Sequence, residues 1–413
     1  MTERHVLALG LAISGTFLVA AAAAAVVTVA SGGGTWAALH LALAGAAGVA
    51  IGSFMPHFAI TLAGTRPQPA PQRLVTIGLL AAGSTLAVAG VALLGGRVAL
   101  GGSVLVIGGL ALVGWQTVAP LRSPLARRHP IVTITYLLAL AELAIGVLLG
   151  GLGAAGWDPV TRAWAALRPA HAWLTLLGAV SLTIFGTLIY LAPTILGARI
   201  RASRTLAVAA TGMLVGPPLA ALGFALLATP VVVAGAGLTL LGGLGQIAYV
   251  ADTLRRRGRY TSEHDWRRVA VWHLAAGTGW FALAVAAALV GVLTGGPVAA
   301  WSLGALAIPL VAGWMAQELV GSWTHLAPSV TPGSPGRHAA QRRTLAGASR
   351  VRPITWNVGV GLAWGGVAVG ATPLAVGGGA LLAASAFASV VLLLRALARP
   401  EPRVRTGASA PAG

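Results

Sequence analysis

The side chains able to do chemistry in this chain are few. His40, Glu142 and His171 interrupt long apolar runs, and so do His57, His273, Glu318 and His325. Two imidazoles carried on different helices can ligate a haem iron axially or form part of a copper site. A carboxylate beside them can orient an imidazole N–H or relay a proton. Cysteine is absent, which removes disulfides, thiolate zinc sites, iron–sulfur clusters, CxxCH haem attachment and cysteine-ligated copper. Any metal or haem must be held by histidine, methionine, carboxylate or backbone oxygen. A plainer reading stands beside this one: each histidine can hydrogen-bond a backbone carbonyl or a Ser/Thr in a helix interface. His5, His129, His264 and His338 lie beside arginines in loops or at helix starts and read as solvated or interfacial.

The elements that must position these groups are membrane helices. The 413 residues are 57% hydrophobic and only 8% charged, whereas soluble domains carry about 25% charged residues. With about 20 apolar residues per crossing, the chain divides into twelve candidate spans. They are 6–30, 35–63, 74–94, 99–118, 131–151, 170–193, 205–228, 231–250, 269–293, 299–326, 354–371 and 374–397.

The net charge of +19 comes from 27 arginines and no lysine. There is no polar domain to present a basic patch, so nucleic acid is not expected as a partner. With the N terminus in the cytoplasm, 24 arginines fall on the inner side. Only Arg97, Arg162 and Arg168 fall outside. That asymmetry is the positive-inside pattern, and it expects both termini in the cytoplasm of a cell whose plasma membrane is crossed twelve times. The Ala-rich stretch near residue 24 resembles a signal-peptide cleavage region. However, the first apolar run exceeds a signal h-region, and its removal would leave an odd number of spans.

Three spans end alike: Met55-Pro56-His57-Phe58-Ala59, Ile189-Tyr190-Leu191-Ala192-Pro193 and Thr324-His325-Leu326-Ala327-Pro328. Aligning His57, Tyr190 and His325 gives intervals of 133 and 135 residues. His40 lies 17 residues before His57, and His171 lies 19 before Tyr190. The expectation is a single membrane domain of three repeats of four helices, at roughly 1–118, 119–253 and 254–400, with a disordered cytoplasmic tail at 401–413. Gly/Ala-rich helices that look alike by composition are the alternative.

In this topology His40, Glu142 and His171 lie toward the outer leaflet, and His57, His273, Glu318 and His325 toward the inner. Charge in lipid costs at least about 2.5–3.5 kcal/mol, so such groups are expected to be functional. The outer set reads as a cofactor site. The inner histidines read either as a three-histidine metal or haem site or as interfacial anchors. Glu318 and His325 share a helix face with Trp314 and Gly321, and His273 shares one with Gly277 and Trp280. Trp36, Trp157, Trp164, Trp173, Trp266, Trp301, Trp323 and Trp356 fall near span ends as an aromatic belt. Glycine runs such as Gly32-Gly33-Gly34 lack the strand context of a phosphate loop.

The run His171-Ala-Trp-Leu-Thr-Leu-Leu-Gly178, continuing Phe185-Gly-Thr-Leu-Ile-Tyr-Leu-Ala-Pro-Thr194, resembles the sixth helix of membrane proteins related to haem-copper oxidase subunit I. That group includes the NnrS family and the membrane domain attached to some actinobacterial copper nitrite reductases. His40-Leu-Ala-Leu-Ala-Gly45 through Pro56-His57-Phe58 is similar to their second helix. Ala316-Gln-Glu-Leu-Val-Gly-Ser-Trp-Thr-His-Leu-Ala-Pro328 is similar to their tenth. The resemblance spans most of the chain and implies twelve helices in three arcs of four. It places His40 at a haem-ligand position and His171 at a metal-ligand position; His57 matches a recurrent histidine of unassigned role.

The departures are specific. Position 173 is Trp where the relatives have the second histidine of His-x-His. The seventh span and the outer half of the tenth lack histidine, and the histidine–tyrosine motif is missing. The resemblance therefore does not extend to a dinuclear oxygen-reducing centre. It implies a redox component binding haem b and/or copper through His40 and His171, with Glu142 and Glu318 as acid–base groups and His57, His273 and His325 at a second site. Such a component would pass electrons from quinol toward a copper-containing enzyme, or handle nitric oxide or copper. A small-solute or ion transporter coupled through Glu142, Glu318 and His325 is the alternative, and a structural subunit with no site of its own is a third.

Overall fold

The computed structural model describes residues 3–31, 35–122, 130–257, 265–297, 306–331 and 333–400. Its main helices are α1 (Glu3–Ser31), α2 (Trp36–Ala63), α3 (Ala70–Leu94), α4 (Gly96–Val118), α5 (Pro130–Ala154), α6 (Trp164–Leu196), α7 (Arg204–Ala225), α8 (Thr229–Arg255), α9 (Asp265–Gly295), α10 (Ile308–Met315 continuing through Ala316–Val330), α11 (Pro335–Leu345), α12 (Val351–Ala368) and α13 (Thr372–Leu397). Among the described residues there is no strand. Hydrocarbon offers a backbone no hydrogen-bond partner, and a helix satisfies its own N–H and C=O groups.

Ten of these helices, all but α10, α11 and α12, are long and apolar enough to cross a membrane. The protein is thus a multi-pass, membrane-embedded helical protein. Helix also covers the described parts of the other two expected spans, but those carry polar groups. Gln317, Glu318, Ser322, Thr324 and His325 lie in α10, and Arg352, Thr355 and Asn357 in α12. The start of the expected tenth span (298–305), His129, His264, Trp301 and the tail from 401 lie outside the described residues.

The chain forms two compact units. Unit 1 comprises Met1–Pro193, Arg199–Asp252 and Phe281–Leu306; unit 2 comprises Thr194–Ala198, Thr253–Trp280 and Ala307–Gly413. In unit 1, α6 is the most enclosed of the ten apolar helices. Trp173, Leu177, Leu182, Leu188 and Ile189 on it are fully buried. The Tyr136 hydroxyl pairs with Thr187 Oγ1 at 2.8 Å, and the Tyr249 hydroxyl donates to the Ile189 carbonyl at 2.7 Å. In unit 2, α13 turns Val376, Phe387, Val390 and Leu394 outward, as a lipid-facing helix does.

Three antiparallel hairpins, α3–α4, α7–α8 and α12–α13, are drawn together by small residues. A Cβ added at Gly90, Gly216 or Gly366 would strike the backbone of Ala99, Thr239 or Ala375 in the facing helix. Close approach of this kind is how helices pack in lipid, where no hydrophobic force separates protein from solvent. The hairpin turns carry positive φ at Gly95, Leu227 and Gly370. These lie 38, 37 and 45 residues after His57, Tyr190 and His325. The longer third interval contains α11.

Among the described residues four stretches wind more widely, as π-helix: Leu41–Ala47, Gly90–Leu94 at the end of α3, Trp173–Val180 and Ile308–Met315. All but Gly90–Leu94 end ten residues before His57, Tyr190 or His325. Those three each contain a buried glycine twelve residues before the same residue: Gly45, Gly178 and Gly313. A large side chain from the preceding long helix lies across each glycine: Phe17, Glu142 and Trp280 respectively. Insertions of this kind in a helix occur frequently at functional sites.

Candidate functional site

The expected outer group meets in unit 1. His40 stands at the start of the first π-helical stretch and His171 just before the second. Their ring centres are 6.3 Å apart and their planes within 11° of parallel. His40 Nδ1 lies 2.8 Å from the Trp36 carbonyl, and His171 Nδ1 lies 2.8 Å from the Gly146 carbonyl. A carbonyl can only accept, so each Nδ1 carries the hydrogen and donates it. The neutral imidazole then presents a bare lone pair at Nε2. Metal-bound histidines are pinned in this way, through the nitrogen that does not ligate.

Trp36 stacks on His40 at 4.2 Å, and Trp164 lies against His171 at 6.2 Å. Both were expected only as belt residues; here they also fix the rings. Gly150, one turn beyond Gly146 on α5, leaves room beside the His171 ring, where a Cβ would lie 3.2 Å from Cε1. On the same face of α5, two turns before Gly150, stands Glu142. It is buried, and neither carboxyl oxygen has a hydrogen-bond partner. Its side chain fills the space over Gly178.

Two neutral imidazoles are a donor set that haem iron or copper accepts. Nε2 atoms about 2.0–2.1 Å from one metal are at most about 4.2 Å apart. Their ring centres lie further back, which accords with 6.3 Å. Trp173, at the position of the missing second histidine, is wholly buried against Phe224 and is a core residue.

The inner histidines have separate surroundings. His57 Nδ1 lies 3.3 Å from Glu3 Oε1 in unit 1. The same carboxylate accepts from Arg73, whose other nitrogen donates to the Ser53 carbonyl at 2.7 Å. Burial pushes the Glu3 carboxyl up, but hydrogen bonds from His57 and Arg73, with the Arg73 charge, outweigh it and hold it below its ordinary value.

His273, in unit 2, is wholly buried, with Nδ1 3.0 Å from Gln317 Oε1. The Gln317 amide donates to the Gly313 carbonyl at 2.8 Å and to Asn357 Oδ1 at 3.0 Å. Its oxygen is therefore the acceptor, His273 Nδ1 is the donor, and Nε2 is left without a partner. Asn357 completes the network by accepting from Trp280 Nε1 at 2.7 Å and donating to the Pro353 carbonyl at 2.7 Å. Glu318 lies beside it, taking a hydrogen bond from Thr278 at 3.2 Å on one oxygen and none on the other.

His325, also in unit 2, stacks on Trp266 at 5.4 Å, with the Arg267 and Arg342 guanidinium groups 5.1 and 5.4 Å from that indole. Among the described residues no three of His, Asp and Glu gather to hold a metal ion.

Sequence reasoning missed Glu3, Arg73, Gln317 and Asn357. A polar residue in an apolar span was a signal available for the last two. The chain matches no family model and no curated protein sequence.

Proposed function

We propose that the chain is a membrane-bound redox component, related to haem-copper oxidase subunit I and NnrS-like, that binds haem b or copper through His40 and His171. The observation that carries this is the near-parallel imidazole pair, each ring pinned through Nδ1 to a backbone carbonyl with Nε2 bare. The bound metal would supply one-electron chemistry. The protein's own part is to hold the two rings, to stack Trp36 and Trp164 on them, and to keep the Glu142 carboxyl within the same helix packing as a group that takes up or releases a proton. Quinol as electron donor and a copper-containing enzyme as acceptor belong to the same proposal.

The proposed architecture is twelve crossings of the plasma membrane in three groups of four, with both termini cytoplasmic. Its support is the arginine asymmetry and the equal offsets of three π-helical stretches from His57, Tyr190 and His325. Metal analysis and haem extraction of the wild-type protein and of H40A and H171A test the proposal. Stoichiometric iron or copper in the wild type, lost in both variants, is the expected result. Equal metal content in all three refutes it.

A second reading, a small-solute or ion transporter, is favoured by one observation: Glu142 and Glu318 are both buried with carboxyl oxygens left unpartnered. Metal-free protein that carries a solute across liposomes, and stops when Glu142→Gln is introduced, would support it instead.

A further inference from the structure

We infer that unit 2 binds the headgroup phosphate of an anionic phospholipid where the start of α9, the end of α10 and α11 meet, at Trp266, His325 and Arg342. The His325 ring stacks on the Trp266 indole at 5.4 Å, and the Arg342 guanidinium lies over the same indole at 5.4 Å. The inference does not depend on a metal at His40 and His171.

Two buried nitrogens here lack a partner. Arg342 Nε and His325 Nδ1 are both shut off from solvent, and neither is hydrogen-bonded. His325 as a whole is only 7% exposed. The Arg342 side chain makes no ion pair among the described residues. A buried donor left unmade carries a desolvation cost, larger when it is charged, and an oxyanion relieves it. Guanidinium and phosphate match in geometry as well as charge. Arg267 brings a second guanidinium to 5.1 Å from the indole, oriented by its bond to the Ile195 carbonyl at 2.8 Å. Two carboxylates close in sequence are engaged elsewhere. Asp265 pairs with Arg268 at 2.7 Å, and Glu318, two turns before His325, accepts from Thr278 at 3.2 Å.

The helix that carries Arg342 is fixed in place. Thr331, just past α10, donates to Gln341 Oε1 at 3.2 Å. Arg337 donates to the Leu397 carbonyl at 3.2 Å, and Arg399 to Thr344 Oγ1 at 3.0 Å, tying α11 to α13. Trp266, Leu345 and Ala396 close the packing as one buried apolar cluster. Binding therefore orders little that is not already held. The lipid source follows from position. The stretch 255–268, which ends where α9 turns apolar, carries six arginines, and 337–352 carries five with no carboxylate. Basic pockets between helices at such a boundary take anionic headgroups. Inorganic phosphate offers the same oxyanion without the lipid tails.

The test uses the full-length protein in nanodiscs and in detergent. Retention of phosphatidylglycerol and of phosphatidylcholine is compared by native mass spectrometry, and inorganic phosphate is titrated by thermal shift. Preferential retention of phosphatidylglycerol is expected, weakened about tenfold by R342Q. H325F, which keeps a ring on Trp266 and loses the nitrogen, is expected to weaken it less. R343Q, at an exposed neighbouring arginine, is expected to leave it unchanged. R342Q removes an uncompensated guanidinium, so in phosphatidylcholine it should unfold no lower than wild type, a result that a misfolded variant cannot give. If R342Q does unfold early, R342K takes its place, since it keeps the charge and lacks Nε. A phosphate effect lost in R342Q, without preference for phosphatidylglycerol, would overturn the lipid source. Retention unchanged in R342Q or R342K, or weakened as much by R343Q, would overturn the site, as would the absence of any lipid preference and phosphate effect.

Discussion

His171 Nδ1 donates to the carbonyl of Gly146, a residue 25 positions earlier on the neighbouring helix, at 2.8 Å. A backbone carbonyl cannot be lost by substitution and cannot donate, so it fixes one tautomer. It also leaves Nε2 free beside His40, whose ring is held in the same manner by Trp36. Backbone geometry therefore sets the tautomer and orientation of both rings.

That geometry can be perturbed without touching a ligand. A methyl at Gly150 would lie 3.2 Å from His171 Cε1, tight enough to shift the ring, whereas Gly101 faces open space. G150A is expected to lower cofactor occupancy or alter its absorption spectrum, and G101A to change neither. Identical spectra for G150A and the wild type would argue against a ligand role for His171.

Glu142 and Gly178 occupy each other's space. G178A forces the carboxyl to move, with an expected cost of about 1–3 kcal/mol from overpacking. E142A removes the obstruction, so G178A should cost less in the E142A background. Thermal unfolding of the four proteins measures this; strict additivity would show that the two do not touch.

The Glu3–Arg73–His57 cluster should make unit 1 acid-sensitive. The folded Glu3 carboxyl is held low, so its contribution is fully present above the ordinary carboxylate value, about 4.3, and is lost as pH falls through the lowered folded value. Unfolding temperatures of wild type and E3Q should differ near neutrality and converge in acid. R73A should cost about 1.5–3 kcal/mol by leaving charged hydrogen bonds unmade. A gap between wild type and E3Q that stays constant with pH would contradict the linkage.

In unit 2, N357A strands the Trp280 N–H and one Gln317 donor. Destabilisation of about 1–3 kcal/mol is expected, with the metal content of the protein unchanged. Loss of metal on N357A would instead tie the His273 network to a cofactor.

The helical, membrane-embedded character was legible because apolar runs of span length have few other fates. The sequence sets His40 17 residues before His57 and His171 19 before Tyr190, and their rings meet in the fold. What was not legible depended on backbone and on reach. Nothing in the residue order marks Gly146 as an acceptor. Glu3 stands ahead of its apolar run, so its meeting with Arg73 required α1, α2 and α3 to pack first. Gln317 and Asn357 pair 40 positions apart through amides that leave no periodic trace. The particular neighbours of the inner histidines, Glu3 for His57, Gln317 for His273 and Trp266 for His325, left no trace in the residue order either.

The most direct measurement is the reduced-minus-oxidised absorption spectrum of the purified wild-type protein, taken with its iron and copper content. A redox-active haem or copper signal that disappears in both H40A and H171A is expected. A wild-type protein that is folded, has no Soret band and contains neither iron nor copper would contradict the central claim.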